Sequence, residues 1–296
     1  MAIRFVTFSI ILDDIVLADG RTYMAMLGGG GPQTCYGARL FLRAGEVGIA
    51  SGVGVDFDRS WFETAGIDLR GLRTSAGIPS MRAWQLIDHD ERRTQVWRVP
   101  MAAVQAGLDR SLALLPTSYL SAESFHLGVH PDQPDIDFLQ SLRQLPQRPL
   151  ISVEVFKGAD RLPDTEFLAS WLSLCDVFSA NSAEALSMGA PERPQDAARW
   201  LVAMGAKIAI LRMGSAGSLV CRGDEMVFVA ALPVRQLPIG AVGAGNAYCG
   251  GFVAAYLQHG NLQRAGEAGA LAAKLLIEKE RLPVPQDGFE GSDSPR

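Results

Sequence analysis

Apolar runs alternate with helix-like spacing along much of the chain. Six runs predict strands, at residues 5–12, 47–50, 125–129, 150–156, 177–180 and 208–211. Because these runs are largely continuous rather than strictly alternating, we expect strands that are covered on both faces, as in a parallel sheet.

Two stretches between these runs have the spacing of an amphipathic helix. Residues three or four apart share one helix face, and proline fits a first helical turn. The stripes are Ile136, Leu139, Leu142 and Leu145, which follow Pro134, and Ala197, Trp200, Leu201 and Met204. The alternation predicts an α/β fold, doubly wound, with a mostly parallel sheet flanked by helices and right-handed crossovers. We assign residues 1–284 to one such domain.

Two segments, about 14–27 and 79–99, break this rhythm with alternating patterns. The second has polar residues 88–91 at its centre, which predicts a hairpin. Its arms carry Trp84 and Leu86 on one side and Val96 and Trp97 on the other. A small sheet built from these segments would project from the α/β body as a lid. Residues 285–296 are rich in proline, glycine, serine and aspartate, which predicts a flexible tail.

Composition limits the partners. The chain has 27 basic and 32 acidic residues, a net charge of −5, and no basic stripe, so we expect no nucleic-acid partner. No stretch approaches about 18 apolar residues and no secretory leader is recognisable, which predicts a cytoplasmic protein without a membrane partner. The four cysteines form no close pair, and we interpret them as small buried residues in a reducing compartment.

Glycine makes up 31 of the 296 residues and is concentrated in a few places, at 28–31, 52 and 54, 214 and 217, and 243–251. Neither the dinucleotide motif GxGxxG nor the P-loop motif GxxxxGK[ST] occurs. The turn at 243–245 precedes a segment with helical content, so its N–H groups and the helix dipole would attract an anion. Taken alone, this turn leaves open a simpler role, that of capping the helix.

The order of several motifs is similar to that of the PfkB/ribokinase family of carbohydrate and nucleoside kinases. Residues 243–252 resemble the family signature D-T-T-G-A-G-D-A-F and its continuation. Asn181-Ser-Ala-Glu184 resembles N-x-x-E, and 213–217 resembles T-L-G-x-x-G, with Arg212 in place of the usual Thr or Lys. Residues 28–40 resemble G-G-x-x-x-N…A-R-L, and 52–56 and 66–68 resemble V-G-x-D and G-V-D. The resemblance covers about residues 3–280.

The resemblance implies a ribokinase-like fold with a small β lid and an activity. That activity is ATP-dependent, Mg²⁺-dependent phosphotransfer to a hydroxyl of a sugar or nucleoside-like small molecule. It leaves open whether the lid joins a second subunit into a homodimer, as in many members, or stays solvated. The substrate itself is not identified by the sequence.

The resemblance also implies roles for individual residues. Substrate hydroxyls would be bound by Asp13, Gly29, Gly30, Gly31 and Gln33. The transferring phosphoryl group would lie in an anion hole formed by Gly243, Ala244 and Gly245. On the nucleotide side would lie Asn181, Glu184, Arg212, Gly214 and Gly217, with Glu184 holding Mg²⁺ through water. The residues alone leave simpler roles open, a solvated strand end for Asp13 and a helix N-cap for Asn181.

One departure bears on catalysis. The family's catalytic base is the aspartate of G-A-G-D, and Asn246 stands in its place, while Gly240 and Ala241 replace the leading Asp and Thr. An amide cannot take the proton of the acceptor hydroxyl. General-base catalysis contributes about 10²–10⁴ in rate. The sequence therefore predicts a slow kinase, a kinase whose base lies elsewhere, or a catalytically degenerate protein that binds nucleotide or sugar as a sensor or scaffold.

Overall fold

The computed structural model describes residues 2–89 and 93–285. Its strands are β1 (Phe5–Phe8), β2 (Ile11–Val16), β3 (Thr22–Gly28), β4 (Val47–Gly54), β5 (Asp68–Ser75), β6 (Arg82–Ile87), β7 (Arg93–Trp97), β8 (Ser124–Val129), β9 (Leu150–Val155), β10 (Val177–Asn181), β11 (Ile208–Arg212), β12 (Ser218–Arg222), β13 (Glu225–Val229) and β14 (Pro238–Ala241). Its α-helices are α1 (Gly31–Arg39), α2 (Ser60–Thr64), α3 (Met101–Leu108), α4 (Ile136–Arg143), α5 (Thr165–Leu172), α6 (Ser182–Ser187), α7 (Pro194–Ala203), α8 (Ala244–His259) and α9 (Leu262–Ile277).

All of these strands except β14 form two sheets. The main sheet has the order β13-β12-β11-β10-β9-β8-β1-β4-β5 and is parallel except for β12 and β13. The small sheet has the order β3-β2-β6-β7. Its β6 and β7 are the predicted hairpin, with Trp84 opposite Val96. Residues 90–92, which include the second half of the predicted hairpin centre at 88–91, lie outside the described residues. Residues 286–296 of the predicted tail also lie outside them.

Apolar side chains cover both faces of the main sheet. On one face, Leu139 of α4, Trp171 of α5 and Leu201 of α7 belong to a cluster with the inward side chains of β8 and β9. On the other face, residues of α1, α8 and α9 pack with those of β1, β4 and β11. This arrangement confirms the predicted mixed α/β fold with a mostly parallel sheet flanked by helices.

The prediction of one strand over residues 5–12 was wrong. The chain leaves the main sheet after β1, passes through Ser9 in the left-handed region (φ 71°), and enters the small sheet at Ile11. The apolar run is unbroken because both strands are buried, so hydrophobicity alone cannot reveal the change of sheet. The first segment of the small sheet therefore begins at residue 11 rather than at about 14.

Three smaller expectations can also be compared with the structure. The first three residues of each predicted stripe lie on a helix, whereas Leu145 lies beyond the end of α4 and Met204 is the C-cap of α7. Helix α4 begins at Ile136, two residues after Pro134. All four cysteines are free and buried. Within residues 2–89 and 93–285, every helix is too short or too polar to cross a membrane.

Candidate active site

The candidate site lies where the parallel strands of the main sheet end. Asn181 and Arg212 are the last residues of β10 and β11 and lie opposite each other in the strand register. Glu154 is the penultimate residue of β9 and pairs with Ser179. In open α/β sheets, ligands bind outside the carboxyl ends of the strands, and the polar side chains of this sheet converge there.

The turn at residues 243–245 begins helix α8 at this edge. Gly243 is the N-cap and has a left-handed φ of 80°, which glycine adopts without strain. Gly245 is packed against a guanidinium, because a β-carbon there would lie 1.6 Å from Arg212 Nη1. The first N–H groups of a 16-residue helix and an arginine therefore face the same space, a combination suited to an anion.

Arg212 is held at this turn by two neighbours. Its Nε donates to Ser179 Oγ at 3.0 Å, and its Nη2 lies 3.3 Å from Glu184 Oε2. Glu184 and Asn181 form a reciprocal capping box, in which Asn181 Oδ1 accepts from the Glu184 N–H and Glu184 Oε2 accepts from the Asn181 N–H. Asn181 is thus the N-cap of α6, the simpler role that the sequence left open.

Glu184 keeps one carboxylate oxygen available. Its Oε2 is engaged by Asn181 and Arg212, whereas Oε1 has no hydrogen-bond partner within the described part of the chain. Burial raises the pKa of Glu184, and Arg212 and the Asn181 N–H only partly offset this effect. A nearly buried carboxylate with a vacant oxygen fits a water-mediated Mg²⁺, which binds oxygen ligands and keeps several of its waters.

The turn at Gly29 and Gly30 meets the 243–246 segment from the other side. A β-carbon at Gly30 would lie 2.9 Å from Asn246 Nδ2, and one at Gly243 would lie 2.7 Å from Gln33 Cγ. Gln33 donates to the Leu27 carbonyl at 2.7 Å, while its buried Oε1 has no partner among the described residues. The two glycine turns are therefore in direct contact.

Asp13 is buried beside this turn on β2 and is only 5% exposed. It is therefore not the solvated strand end that the sequence left open. Gln85 of β6 donates from Nε2 to Asp13 Oδ1 at 2.7 Å, and Gln85 Oε1 is buried without a partner within residues 2–89 and 93–285. Burial raises the pKa of Asp13 to about 6, although the hydrogen bond from Gln85 opposes the shift.

The neighbouring Asp14 has a different environment. Burial would raise the pKa of Asp14, but hydrogen bonds from Arg82, the Ala25 N–H and Arg98 outweigh it and lower that pKa to about 2. Arg82 donates to both carboxylate oxygens, at 2.7 and 2.8 Å. This fully buried carboxylate ties β2 to β6 and to the end of the hairpin, and so fixes the strand that carries Asp13.

Asn246 lies next to a buried carboxylate. Its Nδ2 donates to Glu154 Oε1, which also lies 3.3 Å from His126 Nε2. Cys249 Sγ donates to Glu154 Oε2 at 3.5 Å, and Arg212 Nη2 lies 3.8 Å from the same oxygen. Burial would raise the pKa of Glu154, but His126, Arg212 and Asn246 outweigh it and lower the pKa.

Comparison with known proteins shows which family the chain is part of. The family model described as pfkB family carbohydrate kinase matches residues 8–285. The chain belongs to this family.

Individual relatives cover almost the whole length of this pfkB family member. A cytidine kinase from Thermococcus kodakarensis is 26% identical over 273 residues, which cover 90% of this chain and 93% of the relative. The structure of a ribokinase from Cryptococcus neoformans in complex with ADP has a TM-score of 0.73 at 18% identity, and covers 95% of this chain and 96% of the ribokinase. An Arabidopsis thaliana ribokinase complexed with ribose and ATP has a TM-score of 0.70 at 17% identity, with 95% of each chain covered.

Not every residue expected from the pfkB family motifs enters the contact network. Gly31 packs against the carbonyls of Phe8 and Ser9, at the end of β1. Gly217 packs against the Val229 carbonyl of β13. Gly214 lies in the turn between β11 and β12, and a β-carbon there would have no atom of the described chain within 4 Å. Beyond its chain neighbours, a β-carbon at any of these three glycines would have no candidate site residue among the nearest atoms of the described chain.

Sequence reasoning missed Glu154, His126 and Gln85. Glu154 stands in an apolar run of β9. It pairs with the polar Ser179 of β10, and two residues earlier on β9, Ser152 pairs with His126 of β8 and contacts it. Polar residues at matching positions of adjacent buried strands are the signal that points to this cluster. The sequence alone does not show that these positions match, because the pairing of the strands is a tertiary feature.

The same cluster has the composition of a metal site. Ligand atoms of His126, Glu154 and Cys249 all lie within 4.8 Å of one another. Burial raises the pKa of the Cys249 thiol well above its ordinary value, and the thiol donates its hydrogen to Glu154. Because a metal would need the thiolate, these residues are better described as a hydrogen-bonded network.

Proposed function

We propose that this chain transfers the γ-phosphoryl group of ATP to a hydroxyl of a sugar or nucleoside-like small molecule. The observation that carries the proposal is the contact between the two glycine turns, at Gly30 with Asn246 and at Gly243 with Gln33. We assign hydroxyl binding to the first of these turns and anion binding to the second, and phosphoryl transfer requires two such regions side by side. The named relatives, a cytidine kinase and ribokinases with ADP or with ribose and ATP, support this choice.

Hydroxyl recognition falls to three acceptor groups near the small sheet. The Asp13 carboxylate and the Oε1 atoms of Gln33 and Gln85 are buried, and neither amide oxygen has a partner among the described residues. These groups would accept hydrogen bonds from a substrate without competition from bulk water. A sugar presents several hydroxyl donors at once, and each buried acceptor left unpaired costs free energy. This set therefore favours a polyol over an apolar ligand of the same size.

Phosphate stabilisation falls to the other side of the site. The 243–245 turn supplies N–H groups, and Arg212 supplies a guanidinium fixed by Ser179 and Glu184. Such prearranged donors stabilise the charge that develops on the transferring group. Glu184 would hold Mg²⁺ through water, and when bound this ion neutralises charge on the nucleotide phosphates.

The small sheet would act as a lid in this scheme. It carries Asp13 and Gln85, and its Arg93 donates to the Phe156 carbonyl, beyond the end of β9, at 3.2 Å. Closure over the acceptor would exclude water, which would otherwise compete for the phosphoryl group.

The test is a phosphotransfer assay with ATP, Mg²⁺ and a panel of sugars and nucleosides, in which ADP and the phosphorylated product are both quantified. We expect turnover with at least one acceptor, and a loss of about 10²–10³ in kcat for Arg212→Ala. Glu123→Gln, an exposed residue paired with Arg4, serves as the matched control. Equal ADP release with and without acceptor, and no product, would contradict the proposal.

A second candidate function is binding without turnover, as a sensor or scaffold. The observation in its favour is Asn246 itself, an amide that cannot act as a base. A thermal-shift screen with the same nucleotides, sugars and nucleosides separates the two functions, since binding raises the unfolding temperature whether or not catalysis occurs. Tight binding without product would favour this candidate.

A further inference from the structure

The buried Glu154 carboxylate occupies a position between the two halves of the candidate site. A β-carbon at Gly30, in the acceptor-side turn, would lie 3.9 Å from Glu154 Oε1. The other oxygen of the same carboxylate lies 3.8 Å from Arg212, the guanidinium at the phosphate-side turn. Among the described residues, Asn246 is the side chain that separates this carboxylate from the Gly30 turn.

We propose that Glu154 is the proton acceptor of the phosphotransfer reaction, and that Asn246 holds it in place until the acceptor hydroxyl binds. This inference rests on the proposed function. Where the family signature has a carboxylate, an amide stands at residue 246, and this amide is hydrogen-bonded to the carboxylate of Glu154 on β9.

The surroundings of Glu154 suit this role. The titratable groups that face it are His126, Arg212, Cys249 and, more distantly, Glu184, and the neutral amide of Asn246 completes its surroundings. Burial alone would raise the pKa of this carboxyl, but His126, Arg212 and Asn246 lower it, which favours the basic, ionised form. His126 is in turn fixed by Ser152 Oγ at 2.9 Å, so the carboxylate has little freedom to turn away.

In the proposed step, the proton of the acceptor moves to Glu154 and the phosphoryl group moves to the acceptor oxygen. The acceptor hydroxyl takes the place of the Asn246 amide at Glu154 Oε1 and gives its proton to that oxygen. The hydroxyl oxygen forms a bond to the γ-phosphorus, and the bond from that phosphorus to the bridging oxygen breaks with its electron pair left on ADP. The displaced Asn246 NH₂ donates to an oxygen of the transferring group, and Glu154 afterwards releases its proton to solvent.

The decisive experiment is a reciprocal exchange, Glu154→Gln and Asn246→Asp, made singly and together in the full chain. Glu154→Gln removes the base, and we expect kcat to fall at least about 100-fold and the acid limb of its pH profile to disappear. Asn246→Asp sets two carboxylates side by side, which displaces that limb to higher pH because like charges disfavour ionisation. The double variant restores one amide and one carboxylate in hydrogen-bond contact, and we expect kcat to return to within about tenfold of the wild type.

Several outcomes would overturn the inference. If wild type is active and folded Glu154→Gln keeps kcat within about threefold, Glu154 is structural and the proposed function still stands. If the double variant is no better than Glu154→Gln, a carboxylate at 246 does not replace one at 154. If wild type shows no turnover while Asn246→Asp gains it, the proposed function fails for the natural chain and Glu154 is no base.

Folding is checked by the unfolding temperature of each variant, with Glu123→Gln as the surface control. If Glu154→Gln does not fold, Glu154→Asp keeps the charge and withdraws it by one methylene. We then expect kcat to fall while the acid limb persists; an unchanged kcat would show that the carboxylate does not touch the acceptor.

Discussion

Gln85 of β6 donates a 2.7 Å hydrogen bond to Asp13 of β2, so the two strands of the small sheet share one buried polar contact. Gln85 Nε2 also lies 3.1 Å from Gln95 Oε1 on β7. The amide thereby fixes the orientation of the carboxylate that is proposed to bind substrate hydroxyls, and its own buried oxygen has no hydrogen-bond partner in the described part of the chain.

Replacing Gln85 tests this contact. Gln85→Leu removes a donor to a buried carboxylate, a hydrogen bond worth about 1.5–3 kcal/mol, and the pKa of Asp13 rises further. We expect KM for the acceptor to rise by about tenfold or more at pH 7, with KM for ATP changed much less. Gln95→Leu, which leaves the Asp13 contact intact, is the control; similar KM values for both variants would contradict the prediction.

Asp13 makes stability and binding depend on pH in opposite directions. Because burial raises the pKa of Asp13 to about 6, above its ordinary 3.8, the folded chain binds this proton more tightly than the unfolded chain. Its stabilising effect is complete below about pH 4 and is lost as pH rises through about 6. Acceptor binding by the carboxylate should strengthen over the same rise in pH.

Asp13→Asn should therefore raise the free energy of unfolding at pH 7.5 by about 1–3 kcal/mol, with no gain at pH 4. The same variant should lose the pH dependence of KM for the acceptor. Urea unfolding at the two pH values and acceptor titrations between pH 5 and 7.5 measure both effects. A variant that is less stable than wild type at pH 7.5 would refute the linkage.

Gly245 tests the phosphate side. In Gly245→Ala the new β-carbon would lie 1.6 Å from Arg212 Nη1, so the guanidinium must leave the turn and its contact with Glu184. We expect at least a tenfold loss in kcat/KM for ATP, because the charge is displaced from the anion site. In the matched Gly128→Ala the β-carbon meets only Phe156 at 3.6 Å, an ordinary contact, and kinetics close to those of wild type are expected.

The sequence predicted a strand correctly where its apolar run came from a single strand in a single sheet. Strands such as β9 and β11 are covered on both faces, so their apolar runs predicted them directly. The apolar run at 5–12 comes from two strands, each buried in a different sheet. Because burial in either sheet produces the same apolar pattern, the sequence does not reveal the change of sheet at Ser9.

The candidate site shows the same limit more strongly. Gly30, Gly245 and Asn181 could be placed from motifs, each of which is local in sequence. The partner of Asn246 is 92 residues away, and only the alignment of β9 with the start of α8 brings Glu154 to it. A residue whose role comes from a distant neighbour carries no local signature of that role.

The chain crosses from the main sheet to the small sheet at Ser9 and returns through Gly29 and Gly30, all three in left-handed backbone conformations. Asp13 and Gln85 are carried by the small sheet, while Asn246 and Arg212 belong to the body. In the proposed function, the acceptor contacts made by the small sheet and the phosphate contacts made by the body therefore come from separate stretches of sequence. Gln33 and Glu154 of the body also face the acceptor, so substitutions within 11–28, 82–89 and 93–97 would change one part of acceptor recognition while Arg212, Glu184 and the 243–245 turn stay the same.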